Sequence, residues 1–261
     1  MFQAPKPVVS AQTTVHDDLL ALVKRHQHHH SQRPIAEHTQ RAFDYALKWL
    51  SDWDRAVIID ACCGVGESTL HLAKRYPNAR VIGIDKSEAR LNKHQHYVSE
   101  ITGDVKQKSS VHSKEQLSRE LNNYLVLQAD LNDFWRLLAD FTEEHALKSS
   151  SNAQQGSMRK WYVAKQYILY PNPYPKKTQV GKRWHASAVF KDVMRVSSNI
   201  EVRSNWKVYV DEFQLAAAQY DAVMQVAELK LNDVKNAITP FERKYASAGQ
   251  ALWIGYTLGD G

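Results

Sequence analysis

The sequence predicts an α/β protein built on a doubly wound, mostly parallel sheet, and three observations carry that prediction. Residues Val57–Lys86 read as strand, glycine-bearing turn, helix and second strand. Strand and helix signals alternate through the rest of the chain. Acids or an amide close the strands, at Asp60, Asp85, Asp130 and Asn172, where the ligands of such sheets bind.

Residues 1–15 carry Pro5 and Pro7 and read as an extended, poorly ordered leader. Asp17–His28 reads as a helix with Leu19, Leu20, Leu22 and Val23 on one apolar face, and Glu37–Trp53 as a second, with Phe43, Leu47 and Leu50 to pack beside the first strand. Val57, Ile58 and Ile59 form the β-branched run of a strand buried on both faces. Gly64 and Gly66 allow a tight turn and close approach of a ligand, Ser68–Arg75 supplies an amphipathic helix, and Arg80–Ile84 is a strand ending at Asp85. In nucleotide-binding βαβ units a carboxylate there accepts hydrogen bonds from ribose hydroxyls.

A helix over Ser87–Ile101 follows, then a polar insertion, Gly103–Ser118, whose Lys, Ser and Gln suit an exposed segment. Tyr124–Gln128 is the third strand, Asn132–His145 a helix, and the Ser/Gln-rich residues 148–160 a surface loop. Strand Lys165–Tyr170 runs directly into the sequence PNPYPKK. Helix Gly181–Val196, strand Asn199–Arg203, helix Lys207–Tyr220 and strands within Ala222–Leu231 and Gln250–Leu258 complete the chain. The expected organisation is a leader with packing helices over 1–53 and one α/β domain over 54–261.

The net charge of +6, with basic clusters at Lys24–Arg33, Lys176–Arg183 and Arg195–Lys207, points to a polyanionic partner such as nucleic acid. No apolar run approaches the roughly 18 residues of a membrane span, and the amino terminus lacks a signal-peptide core, so a soluble, cytoplasmic protein without a membrane partner is expected. The two cysteines, Cys62 and Cys63, are adjacent and suit neither an ordinary disulfide nor a metal site. The histidine-rich run His26–Arg33 lacks the spacing of a metal site and reads as a solvated or phosphate-facing stretch, so no metal is expected. Oligomeric state is not legible.

The pattern DxCCGxG is not the dinucleotide fingerprint GxGxxG, and Glu67 places an anion where a pyrophosphate would want none. A ligand with ribose and no phosphates fits better, S-adenosyl-L-methionine (S-adenosylmethionine) being the common one. The stretch resembles the first motif of Rossmann-like class I methyltransferases. The late strands resemble the antiparallel hairpin that closes the sheet of that fold.

The later motifs resemble the tRNA (guanine-N7-)-methyltransferase family over most of the chain, from about Arg33 to Tyr256. Pro171–Trp184, PNPYPKKTQVGKRW, is similar to the family signature PDPWPKKRHxKRR. Arg203–Phe213 resembles its TDWxxYA segment, and Thr239–Glu242 reproduces its TxFE element. The resemblance implies a methyl transfer to a base nitrogen, in tRNA or another nucleic acid, with Asn172 in the catalytic position. It implies cofactor contacts at Asp60, Cys62, Gly64, Gly66 and Asp85, and at Lys86, Asp130, Leu131 and Asn172. It implies substrate contacts at Arg33, Tyr174, Lys176, Lys177 and Arg183, and at Asn205, Thr239, Phe241 and Glu242, with the basic residues neutralising phosphates and Glu242 accepting from a base edge.

The chain departs from the family where Asn172 and Asn205 replace aspartates, Tyr174 a tryptophan, and Thr178-Gln179 an Arg-His pair. An aspartate only accepts hydrogen bonds, whereas asparagine also donates. The departures mark a diverged member that keeps the cofactor site and whose methyl acceptor is open to change from the tRNA guanine. Two other readings stand beside it: an N-methyltransferase for another nitrogen, since Asn172-Pro173-Tyr174 resembles the NPPY motif, and a non-catalytic RNA-binding paralogue.

Overall fold

A computed structural model describes residues 5–29, 31–102, 122–151 and 161–258. Two helices, α1 (Leu19–Gln27) and α2 (Glu37–Trp49), precede the sheet. Then come β1 (Ala56–Ala61), α3 (Glu67–Arg75), β2 (Arg80–Asp85), α4 (Glu88–Leu91), α5 (His94–Thr102), β3 (Tyr124–Gln128) and α6 (Leu131–Ser151). The second half holds β4 (Tyr162–Leu169), α7 (Phe190–Val196), β5 (Ile200–Ser204), α8 (Lys207–Ala218), β6 (Met224–Glu228), α9 (Pro240–Ser247) and β7 (Trp253–Thr257).

The seven strands lie in the order β3-β2-β1-β4-β5-β7-β6. The first five are parallel, and β7 runs antiparallel to both β5 and β6. The chain builds outward from β1 to β3 and then returns to place β4 against the other side of β1. That reversal opens a crevice at the carboxyl ends of β1 and β4, where ligands of open α/β sheets bind.

Apolar residues fill both sides of the sheet. On the larger side Phe43 of α2 meets Phe134 and Phe141 of α6 edge-on, with centroids 5.4 and 6.1 Å apart. Trp135 is fully buried, and its indole N–H donates to Gln166 on β4 (3.0 Å), whose amide in turn donates to the carbonyls of Val193 and Ser197. On the smaller side Ile58, Leu72, Val81 and Tyr167 pack together, each such side chain contributing roughly 1.5–3 kcal/mol.

Several expectations are corrected. The helix expected over Gly181–Val196 is helical only from Phe190; short 3-10 turns at Lys177–Lys182 and Trp184–Ala186 precede it, because Arg183 and His185 point into the core. The helix expected over Ser87–Ile101 breaks between Leu91 and His94. Residues 148–151, expected in a loop, are helical, since α6 continues to Ser151. The insertion Gly103–Ser118 lies outside the described residues. The late strands pair antiparallel as expected, with residues 229–252, which include α9, between them. The leader is extended, yet Gln12 is buried against Arg183 and Glu212. Arg195, counted among the basic clusters, is held by Asp140, Glu143 and Asp192. Among the described residues no helix is long and apolar enough to cross a membrane.

Candidate active site

The turn after β1 uses left-handed backbone at Cys62 (φ 61°), Gly64 (φ 62°) and Gly66 (φ 76°). This folds the chain back so that the Gly64 N–H donates to Asp85 at the end of β2 (3.0 Å). Gly66 opens α3, and a Cβ there would stand 2.4 Å from the His94 ring, whose nitrogen contacts the Val65 carbonyl. Its role is to let α5 close against the turn; the side of the crevice is formed by Cys62, Cys63, Gly64 and Val65.

Asp60, expected among the cofactor contacts, does not line the crevice. It is fully buried, and one oxygen accepts from Ser68 (2.6 Å) and Thr69 (2.7 Å), fastening the first turn of α3 to β1. Burial raises its carboxyl from the usual 3.8 to about 6, against the pull of those two hydroxyls. The folded chain therefore holds this proton more tightly than the unfolded chain. The stabilisation is complete below about 3.8 and is lost as the pH rises through about 6. Asp60→Asn is expected to remove this ramp, so that wild type loses on the order of 2–3 kcal/mol relative to the variant between pH 4 and 7. Urea unfolding of both proteins at the two pH values reads this; parallel pH profiles would contradict it.

Asp85 is 2% exposed, and its oxygens also accept from the Ser87 N–H (2.8 Å) and from Arg90 (3.0 Å). Asp130, after β3, accepts from the Asn132 backbone and side chain, each at 2.9 Å, while its own N–H donates to Thr39. Burial raises the Asp130 carboxyl, but hydrogen bonds from Asn132 and the charge of Arg33 outweigh it and hold the group below its usual range. Arg33 is thus occupied, at 3.0 Å from Asp133 and 3.4 Å from Asp130, and anchors the approach to α2.

Between these acids and the end of β4 lies a cavity of about 650 Å³. Asp85, Lys86, Asp130 and Leu131 line one end, and Pro171, Asn172 and Tyr174 line the other, faced by Thr239, Pro240 and Phe241 from the start of α9. Asn172 is exposed, and its carbonyl oxygen accepts the Tyr174 N–H (3.3 Å). Tyr170 (φ 50°) and Tyr174 (φ 45°) are left-handed on either side of this loop, a conformation costing such residues on the order of 1–3 kcal/mol and concentrated at functional sites. Phe241 is 45% exposed and stacks on Tyr245.

Other residues expected at the substrate are placed differently. Arg183 is fully buried in an ion pair with Glu212, so it meets no phosphate. Glu242 is fully buried on Arg203 (2.9 Å) and accepts the Ile238 N–H, so it reads no base edge. Thr239 caps α9 by accepting the Glu242 N–H (2.9 Å). Asn205 donates to Gln250 and does not line the cavity. Lys176 and Lys177 are exposed beyond it. The sequence reading missed Arg90, Lys93 and Trp184, all of which line the cavity, while Lys182, from the basic cluster Lys176–Arg183, lines it as well. Lys86, Arg90 and Lys93 recur at spacings of four and three, the helical signal that could have found them.

Residues 54–254 match the model of a family described as "Putative methyltransferase". The chain belongs to this methyltransferase family. A curated relative of this methyltransferase, the tRNA (guanine-N(7)-)-methyltransferase of Porphyromonas gingivalis, is 27% identical over 160 residues, which cover 59% of the chain and 49% of that protein. The chain thus spans about half the length of that relative. The two matches bear out the resemblance read from the motifs. Among solved structures, an antibiotic-related methyltransferase superposes with a TM-score of 0.52 at 16% identity, over 86% of this chain and 99% of that one. A 16S rRNA methyltransferase gives 0.51 at 14%, over 87% and 95%. Both show the fold to be that of class I methyltransferases, with its antiparallel carboxyl-terminal strands.

Membership of this family makes S-adenosylmethionine the cofactor, and the donor set fits it. Asp85 and Asp130 offer acceptor oxygens for ribose and base, and nothing lies within 4 Å of a Cβ built on Gly64, leaving the backbone open to a ligand. The first turn of α3 excludes a pyrophosphate, because Glu67, 3% exposed, occupies it and is gripped by Arg243 at 2.7 and 2.9 Å.

Proposed function

We propose that the methyltransferase acts on a base nitrogen in RNA, with tRNA the substrate class best supported. The carrying observation is the single cavity that joins the acids Asp85 and Asp130 to the Pro171–Tyr174 loop and to Phe241. Lys86, Lys93 and Lys182 around it add cationic charge suited to a polyanion. The name of the curated Porphyromonas gingivalis relative supports the same class.

The cofactor supplies an electrophilic methyl group on a sulfonium. A ring nitrogen such as guanine N7 carries a lone pair and no proton, so the chain needs no strong base there and acts by positioning. Asp85 orients the sugar end of the cavity. Tyr174 and Phe241 offer flat faces to a base.

An amine acceptor, as the NPPY likeness would suggest, needs the Asn172 carbonyl to receive its N–H. That oxygen already accepts the Tyr174 N–H. An amide oxygen accepts two hydrogen bonds, so one place is left there; the preference for a nitrogen without a proton rests on the family likeness, and the substitution of asparagine for the family aspartate does not forbid it.

The test is transfer of labelled methyl from S-adenosylmethionine to unmodified tRNA, followed by nucleoside analysis. Label at guanine N7 is expected. Absence of label in tRNA, with S-adenosylhomocysteine still bound, would overturn the substrate class.

A further inference from the structure

Arg183 belongs by sequence to the most basic stretch of the signature, yet none of it reaches solvent. Its Nε and Nη2 both donate to the Tyr174 carbonyl, at 3.2 and 3.0 Å. Nη1 meets Glu212 at 2.5 Å, Nη2 also donates to the Gln12 carbonyl oxygen at 2.9 Å, and the guanidinium lies 4.9 Å from the centre of the Trp206 ring. Glu212 is saturated from the other side: it accepts from the Gln12 amide (2.6 Å), the His16 N–H (2.9 Å) and His185 (2.9 Å). The Ser10 hydroxyl donates to the next carbonyl of the loop, that of Pro175, at 2.6 Å.

Two successive carbonyls of the acceptor loop are therefore gripped from below, one by a guanidinium and one by the amino-terminal segment. They follow the residue at which the loop is left-handed, Tyr174. An aromatic residue keeps that conformation only where its surroundings over-determine it. The Tyr174 N–H in turn donates to the Asn172 side-chain oxygen at 3.3 Å, so the placement of Tyr174 sets how the Asn172 amide is turned.

We propose that Arg183 is a positioning residue for the methyl-acceptor loop, and that Ser10 and Gln12 form a strap from the amino-terminal segment that completes it. Glu212 holds the guanidinium in place. The strap makes residues 10–16 part of the active-site architecture, acting through Tyr174 on Asn172 without touching the substrate. This assignment rests on the reading of that loop as the acceptor side of the cavity.

The test uses the full chain with Arg183→Lys, Gln12→Ala and Ser10→Ala. Arg183→Lys keeps the charge and loses the fork that serves Tyr174 and Glu212 together, and the two strap variants remove no charge, so they stay readable if the lysine variant fails to fold. Methyl transfer to tRNA is expected to fall in kcat by about ten- to a hundredfold in Arg183→Lys and less in the strap variants, with KM for S-adenosylmethionine within about twofold. Hydrogen exchange at the Tyr174 amide is expected to accelerate in all three. The salt dependence of tRNA binding should keep its slope. A slope reduced by about one in Arg183→Lys, with kcat unchanged, would make the residue a phosphate ligand and overturn the proposal. Unchanged exchange at Tyr174 would overturn it equally. If wild type transfers nothing to tRNA, the substrate class fails, and the exchange measurement still decides the role of Arg183 and its strap.

Discussion

Asp85→Ala is expected to weaken cofactor binding by about a hundred- to a ten-thousandfold. The carboxylate is the acceptor for the Gly64 and Ser87 N–H groups and for Arg90, so it shapes the turn as well as lining the cavity, where we propose that it meets the ribose. A hydrogen bond to a charged group is worth about 1.5–3 kcal/mol. Loss of two such bonds in the complex amounts to roughly two to four powers of ten, and release of the Gly64 turn works in the same direction. Calorimetric titration with S-adenosylhomocysteine measures this directly. A dissociation constant within about threefold of wild type would show that Asp85 only supports the turn.

The second large effect concerns folding. Arg203 on β5 lies between Glu201 (2.7 Å) and Glu242 (2.9 Å), and all three are largely buried. Lys165 also serves Glu201, whereas the charge of Glu242 is met by Arg203 alone among the described ion pairs. Arg203→Met is expected to destabilise the protein by about 3–5 kcal/mol, because it leaves a buried carboxylate without its partner. Adding Glu242→Gln to Arg203→Met should recover part of that loss, as expected for two residues in direct contact. Urea unfolding of wild type and the two variants tests both statements; equal stability of the single and double variants would contradict the coupling.

The first βαβ unit was legible because its signals are local. Val57–Ile59, Gly64 and Asp85 each declare a strand, a turn and a strand end within a few residues, and β1, the turn and β2 lie where those residues place them. Arg183 and Glu242 were misplaced on the surface because charged side chains are almost never buried unless paired. Their partners, Glu212 and Arg203, stand 29 and 39 residues away, beyond any helical or strand period. The same distance hid the docking of Gln12, whose partner Glu212 lies 200 residues on. The helix expected from Gly181 failed at Arg183 and His185, where two inward-facing polar residues tighten the chain into 3-10 turns. The cavity cations Arg90 and Lys93 went unread because a charged helical face usually means only solvent.

The sheet order has a consequence for how the molecule assembles. β6 is joined to the sheet through β7 and not through β5, its nearest predecessor in the chain. Until Trp253–Thr257 inserts between them, β6 has no strand beside it and β5 presents an open edge. Folding of this half is therefore a late, long-range event, closing a loop whose entropic cost comes before any pairing repays it. The wall of the cavity formed by Thr239–Phe241 lies inside that loop, so competence to bind is acquired in the same step that seals the sheet.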